Sequence, residues 1–328
     1  MRIIKAVQGA LVLATAATAL FALAGGASAA AWPDRPIHVI VPFPAGSAAD
    51  TVARLIGSKL SEKLGQPVIV DNRDGASGAI GTAKLASSEP DGYTIGITTT
   101  TTVVTVPLLD KNVGYKVPDD FTPIAMIGYS PFVMVVHPSV PAKTIADYVA
   151  LAKAKPDTLS YSSEGEASLA RLGAELFATM AGIKLNQIPY KSSTQAVIDL
   201  LAGRIDSQFG ILTTTKRYLQ NGQLRALGVT TQRRIPELPD VPTIAESGLP
   251  GYEVTLWIAV IAPAKLPQNI VDTLSTDINQ ALAQDDIRQA LSNQAIFANP
   301  QTPAELNATI KKDLDKWGAL AGKTDLAQ

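Results

Sequence analysis

The stretch Trp32-Pro33-Asp34-Arg35-Pro36-Ile37-His38-Val39-Ile40-Val41-Pro42-Phe43-Pro44-Ala45-Gly46-Ser47-Ala48-Ala49-Asp50 decides how this chain folds. Residues 37–42 read as a strand buried on both faces, the pattern of a parallel strand between helices. A short loop follows, and then Ala49, Val52, Ala53, Ile56, Leu60 and Leu64 fall on one helical stripe. Gly65 ends that helix, with Pro67 just beyond. A helix begun after such a loop offers unpaired backbone N–H groups and the positive end of its dipole. That is a site for an anion, and a carboxylate is the obvious candidate. A second strand, loop and helix of this kind occupies residues 159–177. Two such loops facing each other would clamp a small acid.

The same alternation extends outward. Residues 68–70 and 93–97 read as strands, separated by the turn Asn72-Arg73-Asp74-Gly75, a helix over 76–87 and the turn Pro90-Asp91-Gly92. Strand–helix–strand–helix–strand implies a parallel sheet with right-handed crossovers. The pattern repeats after a strand at 132–136. Strands are expected at 159–163, 187–190, 205–209 and 224–230, with helices at 169–180 and 194–202. An apolar run over 256–262 precedes two helical stripes, Ile270–Leu282 and Leu306–Trp317 by their outermost members. The expected fold class is α/β. It has two lobes, each a mainly parallel sheet flanked by helices, joined by two crossover strands near 128–136 and 252–262. Residues 32–130 begin the first lobe, 131–251 form the second, and 252–328 complete the first. Ligands of such sheets lie outside the carboxyl ends of the strands, which here is the cleft between the lobes.

The chain has 328 residues, 46% of them hydrophobic and 17% charged, with a formal charge of −1. That supports about two folded units and a sizeable core. With no basic run, nucleic acid is not an expected partner. Residues 1–31 have the form of an export signal: Arg2 and Lys5, an apolar stretch over 11–23, then Ala27-Ser28-Ala29 as a cleavage site. There is no cysteine, which excludes disulfides and an acylated-cysteine anchor. No later run approaches the ~20 apolar residues of a membrane span. A soluble, exported, periplasmic monomer is expected, without membrane insertion.

Motifs spread over the whole chain after residue 31 carry a resemblance. Besides the opening stretch they include Leu64-Gly65-Gln66-Pro67-Val68-Ile69-Val70-Asp71-Asn72, Ala79-Ile80-Gly81, Pro90-Asp91-Gly92-Tyr93-Thr94 and Asp120-Phe121-Thr122-Pro123. Further on are Glu175-Leu176-Phe177, Ile188-Pro189-Tyr190-Lys191, Leu224-Arg225-Ala226-Leu227 and Trp257 with Ala262-Pro263. The stretch Pro239-Asp240-Val241-Pro242-Thr243-Ile244-Ala245-Glu246-Ser247-Gly248 belongs with them. In this order and spacing they resemble the tripartite tricarboxylate transporter substrate-binding family, also called the Bug (Bordetella uptake gene) family. The resemblance implies a two-lobed, type II-like periplasmic binding protein. Such a protein closes on a small carboxylate and delivers it to transporter membrane subunits. The chain departs from the usual family pattern in places. Gly46-Ser47 stands for Gly-Gly, and Ala167 and Arg171 stand for a Gly and a His of the second loop.

Several residues are candidates for contact with such a ligand. From the first loop they are Phe43, Pro44, Ala45, Gly46, Ser47 and Asp50. Ser77 and Gly78 follow the second strand as cleft-wall residues. Thr99 and Thr100 follow the third, either as hydroxyls at the sheet edge or as a continuation of the strand. The second clamp loop contributes Ser163, Gly165, Glu166, Ala167 and Ser168. Glu166 either faces solvent or meets an amine on the ligand. Arg171 either pairs with Glu175 at i,i+4 or grips a second carboxylate. Tyr190 and Lys191 end a strand at the cleft, and Asp206 is expected near it. Trp257 is read as core or hinge. Gly75 to Gly81 has the spacing GxxGxxG, not the dinucleotide fingerprint GxGxxG. His38 and His137 belong to no recognisable base arrangement, and no GxSxG elbow or metal-ligand spacing occurs. Neither cofactor, metal nor catalysis is expected. A ligand-sensing subunit for a signalling partner and a periplasmic hydrolase are the alternatives.

Overall fold

Strand β1 (Ile37–Val41) is buried at every position except His38. The burial follows from its neighbours: β2 (Val68–Asn72) pairs with one edge and β3 (Thr94–Thr99) with the other, both parallel. The crossovers are α1 (Ala48–Leu64) and α2 (Ala79–Ala86). The structure is a computed structural model, and it describes residues 32–163, 168–190 and 192–322. The export segment expected at 1–31 lies outside the described residues. Helix α1 turns Val52, Ala53, Ile56 and Leu60 inward and stops at Gly65, whose φ of 68° lets its N–H reach the Ser61 carbonyl.

After β3 the chain makes a wide turn (Thr101–Thr105) and the single-turn helix α3 (Val106–Leu109). It then enters β4 (Phe121–Val136), 16 residues long. Only the last five of these read as strand in the sequence. Pro123, Ser130 and Pro131 break the apolar pattern before them, and the register shifts between Pro123 and Ala125 and between Met126 and Gly128. Then follow α4 (Ile145–Ala154), β5 (Ser160–Ser163), α5 (Leu169–Ala181), β6 (Asn186–Pro189), α6 (Ser193–Leu201), β7 (Ser207–Ile211), α7 (Leu212–Gln220) and β8 (Arg225–Val229). The chain closes with β9 (Thr255–Pro263), α8 (Gln268–Leu282), α9 (Asp285–Asn293), β10 (Phe297–Gln301) and α10 (Pro303–Ala321).

The α/β class and the parallel strands are as expected from the sequence. One triplet is β2-β1-β3 and the other contains β7, β5 and β6. The long antiparallel strands β4 and β9 join them, so ten strands form one continuous sheet in the order β2-β1-β3-β9-β4-β7-β5-β6, with β8 and β10 also on β4. Helices cover both faces. Ile56 and Leu60 of α1 share a core with Ile270, Leu274 and Ile278 of α8. On the other face Leu85 of α2 packs with Ile310 and Trp317 of α10. Around β5 the core is aromatic: the Phe177 ring lies 5.7 Å from Phe209 and 6.2 Å from Tyr148 and Tyr252.

The registers place the strand ends. β3 ends with Thr99 opposite Ile258, which itself faces Gly128 of β4. β7 ends with Ile211 opposite Phe132 of β4. β3 runs antiparallel to β9, and β9 and β7 run antiparallel to β4. β3 and β7 therefore head toward each other. Their carboxyl ends stop about 13 Å apart along β4, at roughly 3.3 Å per residue.

Candidate functional site

The first loop hangs on Asp50. Ser47 caps α1, its Oγ accepting from the Asp50 N–H at 3.2 Å. The Asp50 carboxylate turns back and accepts from the Gly46 N–H at 2.9 Å. It also accepts from Arg54 Nε at 3.1 Å and Nη2 at 2.9 Å, and from Asn72 Nδ2 at 3.0 Å. Asn72 Nδ2 donates to the Phe43 carbonyl as well, at 3.1 Å. Gly46 needs its φ of 81° to make this turn. The Arg54 guanidinium, with the N–H of Gly46 and the Asn72 amide, lowers the Asp50 pKa to about 2 against the opposing cost of burial. Asp50 is thus a buried brace and not an exposed contact. Pro44, Ala45, Gly46 and Ala48 remain exposed, with Phe43 and Ser47 half-buried. At the start of α1, the Ala48 and Ala49 N–H groups have no acceptor within the helix.

The loops after β2 and β3 pack against this one. Four successive residues, Gly75 to Gly78, have positive φ (122°, 47°, 54° and 91°). Ala76 and Ser77 are non-glycine residues held in the left-handed region, a local cost of order 1 kcal/mol each that the packing around them sustains. A Cβ on Gly78 would stand 2.5 Å from Thr102 Cγ2 and 3.2 Å from the Pro42 carbonyl oxygen. Gly78 therefore lies where the ends of β1 and β3 meet, and Ser77 is exposed beside it. Thr99 and Thr100 are buried, with hydroxyls already engaged. Thr99 Oγ1 accepts from the Thr102 N–H at 3.4 Å. Thr100 Oγ1 donates to the Thr255 carbonyl at 3.3 Å and accepts from the Trp257 N–H at 3.1 Å. Thr100 thus ties β3 to the crossover strand β9.

At the opposing strand ends, Ser163 closes β5 and its Oγ accepts from Gln187 Nε2 at 2.8 Å. The Tyr190 N–H donates to the Ser163 carbonyl at 2.8 Å, so Tyr190 ends β6 alongside. Its hydroxyl turns away to Asp199 Oδ2, at 2.9 Å. Ser168 caps α5, accepting from the Arg171 N–H at 3.2 Å. Arg171 is half-buried one turn along, beside the Tyr161 hydroxyl, which itself donates to Glu175 Oε1 at 2.6 Å. Gly165, Glu166, Ala167 and Lys191 lie outside the described residues.

Asp206 stands elsewhere, contrary to the expectation from sequence. Its Oδ2 accepts from the Ser160 N–H at 2.8 Å and from Ser160 Oγ at 2.7 Å. Ser160 opens β5, and β7 runs parallel to β5, so Asp206 sits at the amino ends of these strands, opposite the edge where Ser163 lies. Its place one residue before β7 is what the sequence placed one strand length too far. Arg54, Asn72 and Gln187 were not anticipated, although Arg54 stands four residues from Asp50 on one helix face. Trp257 is buried in β9, as read, and its Nε1 donates to Asp313 Oδ2 at 2.8 Å. No group of three or more acids and histidines among the described residues is arranged to hold a metal ion. His38 is exposed, and His137 Nδ1 lies 2.7 Å from Ser139 Oγ on the surface.

A family model, the tripartite tricarboxylate transporter family receptor, matches residues 52–326. The chain belongs to this family. BugT of Bordetella pertussis is 35% identical over 92% of this chain and 93% of its own length. The solved structure of Rpa4515 from R. palustris with adipate is 35% identical, with a TM-score of 0.77 over 89% of this chain and 97% of that one. MatC from Rhodopseudomonas palustris with bound malate is 28% identical, with a TM-score of 0.74 over 88% of this chain and 99% of that one. This receptor shares the architecture of both solved relatives over most of its length. Among its described residues, no helix is long and apolar enough to cross a membrane.

Proposed function

We propose that this receptor captures a small dicarboxylate between two lobes, 32–130 with 252–328 and 131–251, and passes it to transporter membrane subunits. The observation that carries this reading is the opposition of strand ends. β3 and β7 run toward each other and stop about 13 Å apart along β4, a span that suits a solute of a few carbons. The receptor family and two solved relatives, one with adipate and one with malate, point to the same ligand class. The first carboxylate docks on Pro44 to Ala49, with Ser77 and Gly78 as the adjoining wall. The second meets the N-terminus of α5 at Ser163 and Ser168, with Arg171 one turn behind. The ligand favours the closed arrangement because only there do both loops touch it. The protein works as an exported monomer of the periplasm, its segment 1–31 removed, and it binds rather than transforms its ligand.

Calorimetric titration with adipate and with malate tests this. Saturable binding of at least one is expected, lost in Gly46→Asp, where an acid side chain enters the first loop. A Cβ at Gly46 meets open space but carries the strain of a φ of 81°; Asp is among the residues that adopt positive φ most readily, and a cooperative thermal melt of the variant is expected to show that it folds. Full affinity in that variant would dismiss the clamp.

A further inference from the structure

Between the crossover strands and the last helix lies a cavity of about 390 Å³ that none of the loops above lines. Small-molecule sites have volumes of about 300–1,000 Å³. Its walls come from β4 and β9, from β10, from α10, and from the segment 231–236 that follows β8. They carry aromatic and cationic side chains together, with Lys316 Nζ 4.6 Å from the centroid of the Trp317 ring. Tyr129 and Phe297 lie with ring centroids 5.7 Å apart and an interplanar angle of 30°. Trp257 continues that wall.

Four cations line the cavity, Arg233, Arg234, Lys312 and Lys316, against two carboxylates, Glu253 and Asp313. Both acids already have partners. Asp313 accepts from Trp257 Nε1, and burial raises its pKa. Glu253 Oε2 accepts from Gln232 Nε2 at 2.8 Å. Of the cations, Arg234 is paired with Glu246 at 3.0 Å, and Lys316 donates to the Glu253 main-chain carbonyl. Lys312 stands at 3.9 Å from Glu253, the outer limit of an ion pair. Arg233 is exposed and pairs with no acid among the described residues; it acts on the Tyr129 hydroxyl against burial and the carboxylates Glu253 and Glu237, which together raise that hydroxyl's pKa. Among the lining residues cations thus outnumber acids four to two, beside the Tyr129 and Phe297 rings.

We propose that this cavity is a second ligand site, which takes a small aromatic carboxylate with its anion on Arg233 and Lys312 and its ring against Tyr129 and Phe297. The carboxylate replaces water at two cations in a partly desolvated recess, and the ring adds stacking area. The ligand would touch both crossover strands and the segments they connect. On the two-lobe reading proposed above, its occupancy bears on closure; binding itself does not depend on that reading.

Benzoate titration followed by tryptophan fluorescence is the test, because Trp257 and Trp317, two of the three tryptophans, line the cavity. A saturable change at millimolar benzoate or below is expected, with about a tenfold loss of affinity in the double variant Arg233→Gln/Lys312→Gln. Benzyl alcohol, the same ring without the charge, is expected to give no saturable change. Gly46→Asp, in the distant first loop, is expected to bind benzoate unchanged. The proposal is overturned by no saturable signal with benzoate, by unchanged affinity in the double variant, by equal binding of benzyl alcohol, or by loss of the signal in Gly46→Asp. That last result would place benzoate in the clamp instead.

Discussion

At the scale of single residues, an acid beside the proposed anion site is tolerable when its charge is already matched. Asp50 meets that condition with Arg54 and Asn72, and its pKa falls to about 2. A depressed carboxyl stabilises the fold above its unfolded value, ~3.9, and that contribution disappears as pH falls through the folded value. In the window between, the unfolded chain binds more protons, so stability rises with pH there. Asp50→Asn is therefore expected to lower Tm by a constant amount above pH ~4. The gap should close as pH is brought down to about 2. A gap independent of pH in thermal melts would show that the ionised form is not what matters. Asp206 makes a contrasting case. Asp206→Ala removes the acceptor for two Ser160 donors at the amino ends of the strands. It should cost about 1–3 kcal/mol in urea unfolding, while calorimetric affinity for the solute stays as in the parent. A drop in affinity with unchanged stability would return Asp206 to the binding site.

Elements turn these residues into a site through their ends. Helices α1 and α5 both begin with a serine whose hydroxyl takes the N–H three residues on. The cap satisfies one donor and leaves the others of the first turn directed at the strand ends. Ser168→Ala is expected to cost about 1 kcal/mol of stability and to weaken solute binding as well, because α5 no longer starts at a defined residue. Thr144→Ala, at the cap of α4 on the amino edge of these strands, provides the control. It should cost similar stability in the same melts, with no change in affinity. Equal losses of affinity in both would mean that helix stability, and not the α5 terminus, sets binding.

For the whole molecule, β9 pairs with β3 of one parallel triplet, β4 pairs with β7 of the other, and β4 and β9 pair with each other across the middle of the sheet. If the halves close as proposed, β4 bends near residues 128–132 and β9 near residues 255–258, where Thr100 also holds β9. A dicarboxylate that binds is expected to lower the radius of gyration in small-angle scattering. At about 100 times its Kd it should add about 2.7 kcal/mol of stability. Binding without any change in scattering would argue for a rigid site that needs no closure.

Much of this was open to a reader of the sequence alone. The apolar run from Ile37 and the stripe from Ala49 to Leu64 identify a buried parallel strand and its crossover helix, because strand and helix each impose their own period on the burial pattern. The small, positive-φ positions of the loops were visible as Gly46 and Gly78. What stayed hidden depends on residues far apart in the chain. Most of β4 escaped notice as strand because prolines and a serine interrupt its pattern, and its pairing with β9 supplies the order its sequence lacks. Asp50 and Thr100 looked like ligand contacts, but Asn72 and the main chain of Thr255 and Trp257 had already claimed them. Local periodicity determined the elements of this protein and the edge at which a ligand would be sought. Tertiary packing alone decided which polar groups at that edge remain free, since a hydrogen bond to a distant partner leaves no trace in local sequence.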